Sequence, residues 1–333
     1  MLRAAVERGD IARSRELLSA GADPNASASN GRSALHSFFS GRNWRLERAL
    51  LDLLLQHGAD PDLRDSEGCT ALHRAVERGH VGLVEILLDH KADGNLRDAR
   101  GRSSLHVAVQ HSSDSILSLL LMRGADADVR DAEGRTPLHL AQEKKALAMG
   151  LQLVAARADP EIADDEGRIP IVWLASQCGL AAQKKQRGET LSADERACLG
   201  YPRLVSASLY QAAAAGDLAE VNALLGLGAD PNAAFAFHPG RSTRASALHV
   251  AALEGHAPAV AALLERGAGL EVPDGMGWTP LHLAVWKARK EVVALLLERG
   301  ARPEHKTRSG RSALDLARER APELLPLLRG KLD

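Results

Sequence analysis

Aromatic residues are scarce in this 333-residue chain: four Trp, four Phe and two Tyr, 3% of the whole. Large globular cores draw much of their volume from rings, so one thick core is excluded. Thin layers of Leu, Ala and Val are the alternative. Charge of one sign is lacking too. Lys and Arg number 42 against 43 Asp and Glu, a net charge of −1, which gives no global attraction to nucleic acid or an anionic membrane. Cysteine is limited to Cys69, Cys178 and Cys198, with no Cys-x-x-Cys spacing. That odd, sparse count fits a reducing compartment. No apolar run reaches membrane-spanning length, and the stretch after Met1 does not read as a basic-then-apolar leader. A cytoplasmic protein is expected. Catalytic signatures are missing as well: no His-Glu-x-x-His, no phosphate-cradling Gly-x-x-x-x-Gly-Lys, no Gly-x-Ser-x-Gly, no dinucleotide fingerprint. Neither an enzyme nor a bound cofactor or metal is expected.

What is present is repetition. Ser/Thr-x-Leu-His occurs at Ser33–His36, Thr70–His73, Ser103–His106 and Thr136–His139, and again at Ser246–His249 and Thr279–His282. The steps 70→103, 103→136, 246→279 and 279→312 are each 33 residues. A Gly-Ala-Asp or near copy follows about twenty residues later, as at Gly58–Asp60, Gly124–Asp126 and Gly228–Asp230. Within residues 65–97, Asp65-Ser66-Glu67-Gly68 is turn chemistry. Thr70 is placed to cap a short helix, and Val81, Val84, Leu87 and Leu88 stripe a second one.

A 33-residue period with this wording resembles the ankyrin repeat over nearly the whole chain. The resemblance implies an all-α solenoid of stacked helix-turn-helix units with protruding β-hairpin or turn fingers. It implies that the motif histidine bonds neighbouring turn backbone, and that the chain binds other proteins. About ten units can be counted, caps included. Units begin near 28, 64, 98, 131 and 164 after a cap over 1–27. Two arrays are expected, 1–180 and 204–333, joined by an irregular segment at 181–203. The run Gln183–Glu189 is polar without periodicity, so 181–191 is expected to be the most mobile internal stretch. Ser192-Ala193-Asp194-Glu195 is a capping-box match.

In such a scaffold the free positions are the finger tips and the exposed side of each first helix, the concave face. Two patterns fall there. Arg102, Arg135 and Arg168 follow the turn glycines at steps of 33, while Arg64, Arg97 and Arg130 precede the turn aspartates. Stacked guanidinium groups suit carboxylate or phosphate; alternatively they pair with Asp65, Asp98 and Asp131 and with nearby glutamates. The second pattern is apolar: Trp278, Trp286 and Met276, with Phe235 and Phe237 in an enlarged neighbouring finger. An exposed aromatic cluster reads as a protein-binding hot spot. The leading expectation is a non-catalytic scaffold, adaptor or inhibitor. The alternatives are polyanion or nucleic-acid binding through the arginine ladders, which the net charge opposes, and an enzyme site in 180–204.

Overall fold

A computed structural model describes residues 1–40, 48–236 and 244–330. Its described contacts separate into two compact units, Met1–Arg168 and Ile169–Asp333. Each is a stack of helix pairs. In Met1–Arg168 a first helix of seven residues, such as Ala71–Glu77 or Ser104–Gln110, is followed by a second of nine, such as Val81–Asp89 or Asp114–Met122. The uniform lengths follow from the 33-residue period, since every layer must present the same surface to the next.

The repeated leucine fills each layer: Leu72, Leu105 and Leu138 are fully buried, and Leu281 is 1% exposed. Phe38 and Phe39 are buried in the same way, edge to face at 5.0 Å. The motif's two polar residues build the helix start. Thr70 N–H and the Thr70 hydroxyl both donate to His73 Nδ1, at 3.2 and 2.9 Å, in a capping box. His73 Nε2 then donates to the Arg102 carbonyl of the next turn at 3.0 Å. A carbonyl only accepts, so Nε2 carries the proton. The same bond recurs from His106 to the Arg135 carbonyl, from His139 to that of Arg168 and from His249 to that of Trp278. Burial holds these rings neutral, pushing His106 down to about 4.

Neighbouring turns are also stitched by their backbones. Ala99 N donates to the Glu67 carbonyl and Ala132 N to that of Arg100, both at 2.9 Å. This close approach requires glycine at the turn tip. At Gly101, where φ is +75°, a Cβ would lie 2.6 Å from Ala132 N.

The expected irregular segment 181–203 is largely helical. Helix Pro170–Gln186 runs for 17 residues, and Ala193–Cys198 follows from a capping box in which Glu195 N donates to the Ser192 hydroxyl. The stretch 181–191 lies partly in that first helix, with Ala181 and Ala182 buried. Leu174, Cys178, Ala181 and Ala182 do fall on one helical stripe, but most of it is built from small residues with little hydrophobic contrast. Helix Pro202–Ala215 packs beside it, with the Ser208 hydroxyl donating to the Ala175 carbonyl at 2.6 Å. The division between compact units accordingly falls at 168/169 rather than 180/181. Cys178 and Cys198 are joined by a disulfide with Cα atoms 5.5 Å apart. Only Cys69 remains a free thiol. That bond runs against the reading of all three cysteines as reduced.

The enlarged finger forms a two-residue antiparallel pair, Ala234–Phe235 against Ala245–Ser246. Among the described residues no helix is long and apolar enough to cross a membrane.

Candidate functional site

Each regular turn is held by one buried aspartate. Asp131 Oδ1 accepts from Glu133 N and Arg135 N at 2.9 Å. Its Oδ2 accepts Arg135 Nε and Nη2 at 2.9 and 2.8 Å, a side-on fork. Asp98 treats Arg102 identically, and Asp164 takes Arg168 Nε at 2.6 Å. The guanidinium contacts help hold all three carboxyls below the usual carboxylate range, against the opposing effect of burial. In the turn before these, Cys69 stands at the arginine position. Arg74 reaches back from its helix to Asp65 at 2.6 Å instead. That substitute is invisible at the regular register.

Arg102, Arg135 and Arg168 are thus turn staples. The other column is engaged as well: Arg97 Nε donates to the Gly101 carbonyl, Arg130 Nε to that of Gly134, and Arg130 pairs with Asp165 at 3.0 Å. A groove of about 540 Å³ runs beside them, lined by Arg100, Arg102, Gln110, Arg135, Glu143 and Lys144 among others. Its charges are of both signs, and Arg102 and Arg135 are paired with Asp98 and Asp131. Asp65, Glu67 and Cys69 approach one another closely enough to suggest a cation. Asp65, however, is already occupied by Arg74 and by the N–H groups of Glu67 and Cys69, and burial pushes the Cys69 thiol up to about 11. The cluster carries no metal assignment.

A family model described as "Ankyrin repeats (3 copies)" matches residues 2–98, 43–131, 105–183 and 209–307. The chain belongs to the ankyrin repeat family. No curated protein matches it. Ankyrin repeats are generally protein–protein interaction modules.

One register pair separates this ankyrin chain's turns. The residue after the turn glycine meets the residue eight places later on the first helix. In three turns the pair is polar: Arg102 with Gln110, Arg135 with Glu143 at 3.5 Å, and Arg311 with Glu319. In the turn Asp274–Trp278 it is aromatic. Trp278 and Trp286 meet edge to face with ring centroids 5.3 Å apart, both half-buried. Asp274 still accepts from Met276 N and Trp278 N at 2.8 Å, so the backbone of the turn is unchanged. Met276 stands at the tip, 52% exposed.

The structure therefore brings Trp278, Trp286 and Met276 together in one neighbourhood. Phe235 does not join them. It is 1% exposed and packs edge to face on Tyr210 at 6.2 Å, because its strand pairing turns the ring inward. It forms no wall of an exposed site. Phe237 lies outside the described residues. A contributor missed in the sequence is Arg320, whose guanidinium sits 3.5 Å from the Trp286 ring centroid. Its signal was positional: Arg320 stands 33 residues after Lys287, the neighbour of Trp286.

Proposed function

We propose that this chain is a non-catalytic protein-binding module, a scaffold, adaptor or inhibitor, that holds its partner on the concave face of Ile169–Asp333. Trp278 and Trp286 are its anchors, with Met276 beside them. The supporting observation is the register pair itself: a position that is polar in three turns becomes two adjoining indoles with no consequence for the turn backbone. Paired tryptophans supply large apolar area at small entropic cost, which is the signature of an interface anchor. Polyanion or nucleic-acid binding has less support, because Arg102, Arg135 and Arg168 are committed to aspartates. A cytoplasmic location also loses support from the disulfide.

Affinity capture from source cells with the intact chain and with Trp286→Ala, compared by quantitative mass spectrometry, tests the reading. Proteins retained by the parent and lost by the variant are expected. An identical captured set would remove the tryptophans from the interface.

A further inference from the structure

Three cations gather around the tryptophan pair. The Arg320 guanidinium carbon lies over the Trp286 ring. Lys287, at the end of helix Pro280–Trp286, occupies the same register one repeat earlier and is exposed. Arg308, in the next turn, lays its stem against Gly277; a Cβ there would meet Arg308 Cγ at 2.8 Å. Gly277, at φ +81°, is thus the position that lets this side chain reach the Trp278 turn. Among the described residues none of the three has a carboxylate within ion-pair distance. Glu319 pairs with Arg311 and Glu254 with Arg289 at 3.8 Å, while Asp274 accepts the Met276 and Trp278 N–H groups.

Stacking matters for what Arg320 can bind. A guanidinium held against a ring by cation–π attraction has no carboxylate partner of its own to give up, and its planar fork suits a carboxylate. Stacking also restrains the side chain, so less entropy is lost when a carboxylate arrives. The site therefore combines two adjoining indoles, a guanidinium held against one of them and two further positive charges. The turn arginines, at a different register, spend their forks on their own aspartates, as Arg135 does on Asp131.

Resting on the protein-binding reading above, we infer that the partner is an acidic peptide segment. An apolar side chain sits on Trp278 and Trp286, and a neighbouring Asp or Glu carboxylate is taken by Arg320, with Lys287 and Arg308 attracting the flanking acids. The net charge of the whole chain hides this local excess.

Random peptides displayed on phage, selected on the intact chain and counter-selected on the Trp278→Ala/Trp286→Ala chain, provide the probe. Enriched sequences are expected to place an apolar residue beside Asp or Glu. For a synthetic copy followed by fluorescence anisotropy, Arg320→Gln is expected to weaken binding about tenfold or more. Lys287→Glu with Arg308→Glu is expected to slow association and reverse its salt dependence. Melting curves of the variants should match that of the parent, because all three side chains are exposed. Tryptophan-dependent peptides that are neutral or basic, or equal binding by Arg320→Gln, would overturn the acidic partner and leave the anchors standing. Selection indifferent to the tryptophans would overturn the anchors themselves. A single-stranded oligonucleotide that outcompetes the peptides would replace the peptide with a nucleic acid.

Discussion

The turns at 131–135 and 274–278 share one backbone and differ in surface. Both hang on an aspartate that accepts two backbone N–H groups, and both feed a carbonyl to a histidine of the preceding repeat. In the first, the residue after the glycine is an arginine folded onto that aspartate. In the second it is a tryptophan turned toward Trp286, and no guanidinium joins Asp274 among the described residues. The turn's geometry rests on the N–H bonds, and the arginine is a replaceable addition. Cys69 makes the same point, since there Arg74 supplies the charge from elsewhere.

If the scaffold is common to both turns, deleting its core should cost the same in each. Leu138→Ala and Leu281→Ala should each lose about 2–5 kcal/mol by equilibrium urea unfolding. A loss below about 1 kcal/mol at either site would break the equivalence there. The long-helix segment differs from the regular repeats in using a covalent staple. Cys178→Ser with Cys198→Ser, which opens a loop with a sequence separation of 20, should cost about 3 kcal/mol. Unchanged stability in non-reducing buffer would show that the helices hold themselves.

The tryptophan turn should differ in binding and not in folding. Trp286→Ala should weaken partner affinity by about 2 kcal/mol or more while the melting temperature stays nearly constant. The reverse result, a lower melting temperature with full affinity, would make the indole pair a packing element. The aspartates should separate the turns in the opposite sense. Asp131→Ala strands Arg135 and should cost about 1–2 kcal/mol more than Asp274→Ala, a difference limited by the partial exposure of the arginine. Equal losses would mean that the Arg135 fork adds nothing.

The smallest effect concerns acid. His106, held neutral down to about 4 when folded, takes up a proton near its ordinary value once unfolded. The unfolded chain thus binds more protons in between, and stability should fall as pH drops from about 6.5 toward 4, by on the order of 1 kcal/mol. The turn aspartates act later: their contribution persists above the ordinary carboxylate range and fades below it. Comparing denaturation midpoints at about pH 7 and pH 5, His106→Gln should lose less than the parent. An equal loss would place the acid sensitivity on other groups.

Much of this structure was written in periodicity. The Leu-His motif, its 33-residue step and the turn glycines dictate helix pairs, because a repeated pattern has only one way to bury the same residues in every layer. The Trp278–Trp286 neighbourhood was legible for the same reason. Phe235 was not, because a ring in a lengthened finger is placed by strand pairing that no repeat register reports. The helix through 181–186 was also obscured, since a stripe largely of Ala and Cys carries little hydrophobic contrast, and its partners lie far along the chain, as where Gln183 Nε2 donates to Glu220 at 2.9 Å.

By itself, then, the amino-acid sequence determined the unit, its period, its buried leucines and its capping histidines, all of which follow from bonds within one repeat or between adjacent copies. Tertiary structure decided the rest: that Arg102 and Arg135 close onto their own aspartates, that Arg74 replaces the guanidinium missing at Cys69, that Cys178 meets Cys198, and that Arg320 lies on Trp286. Each of these depends on where a side chain ends in space, at distances of a few ångströms that spacing along the chain does not encode.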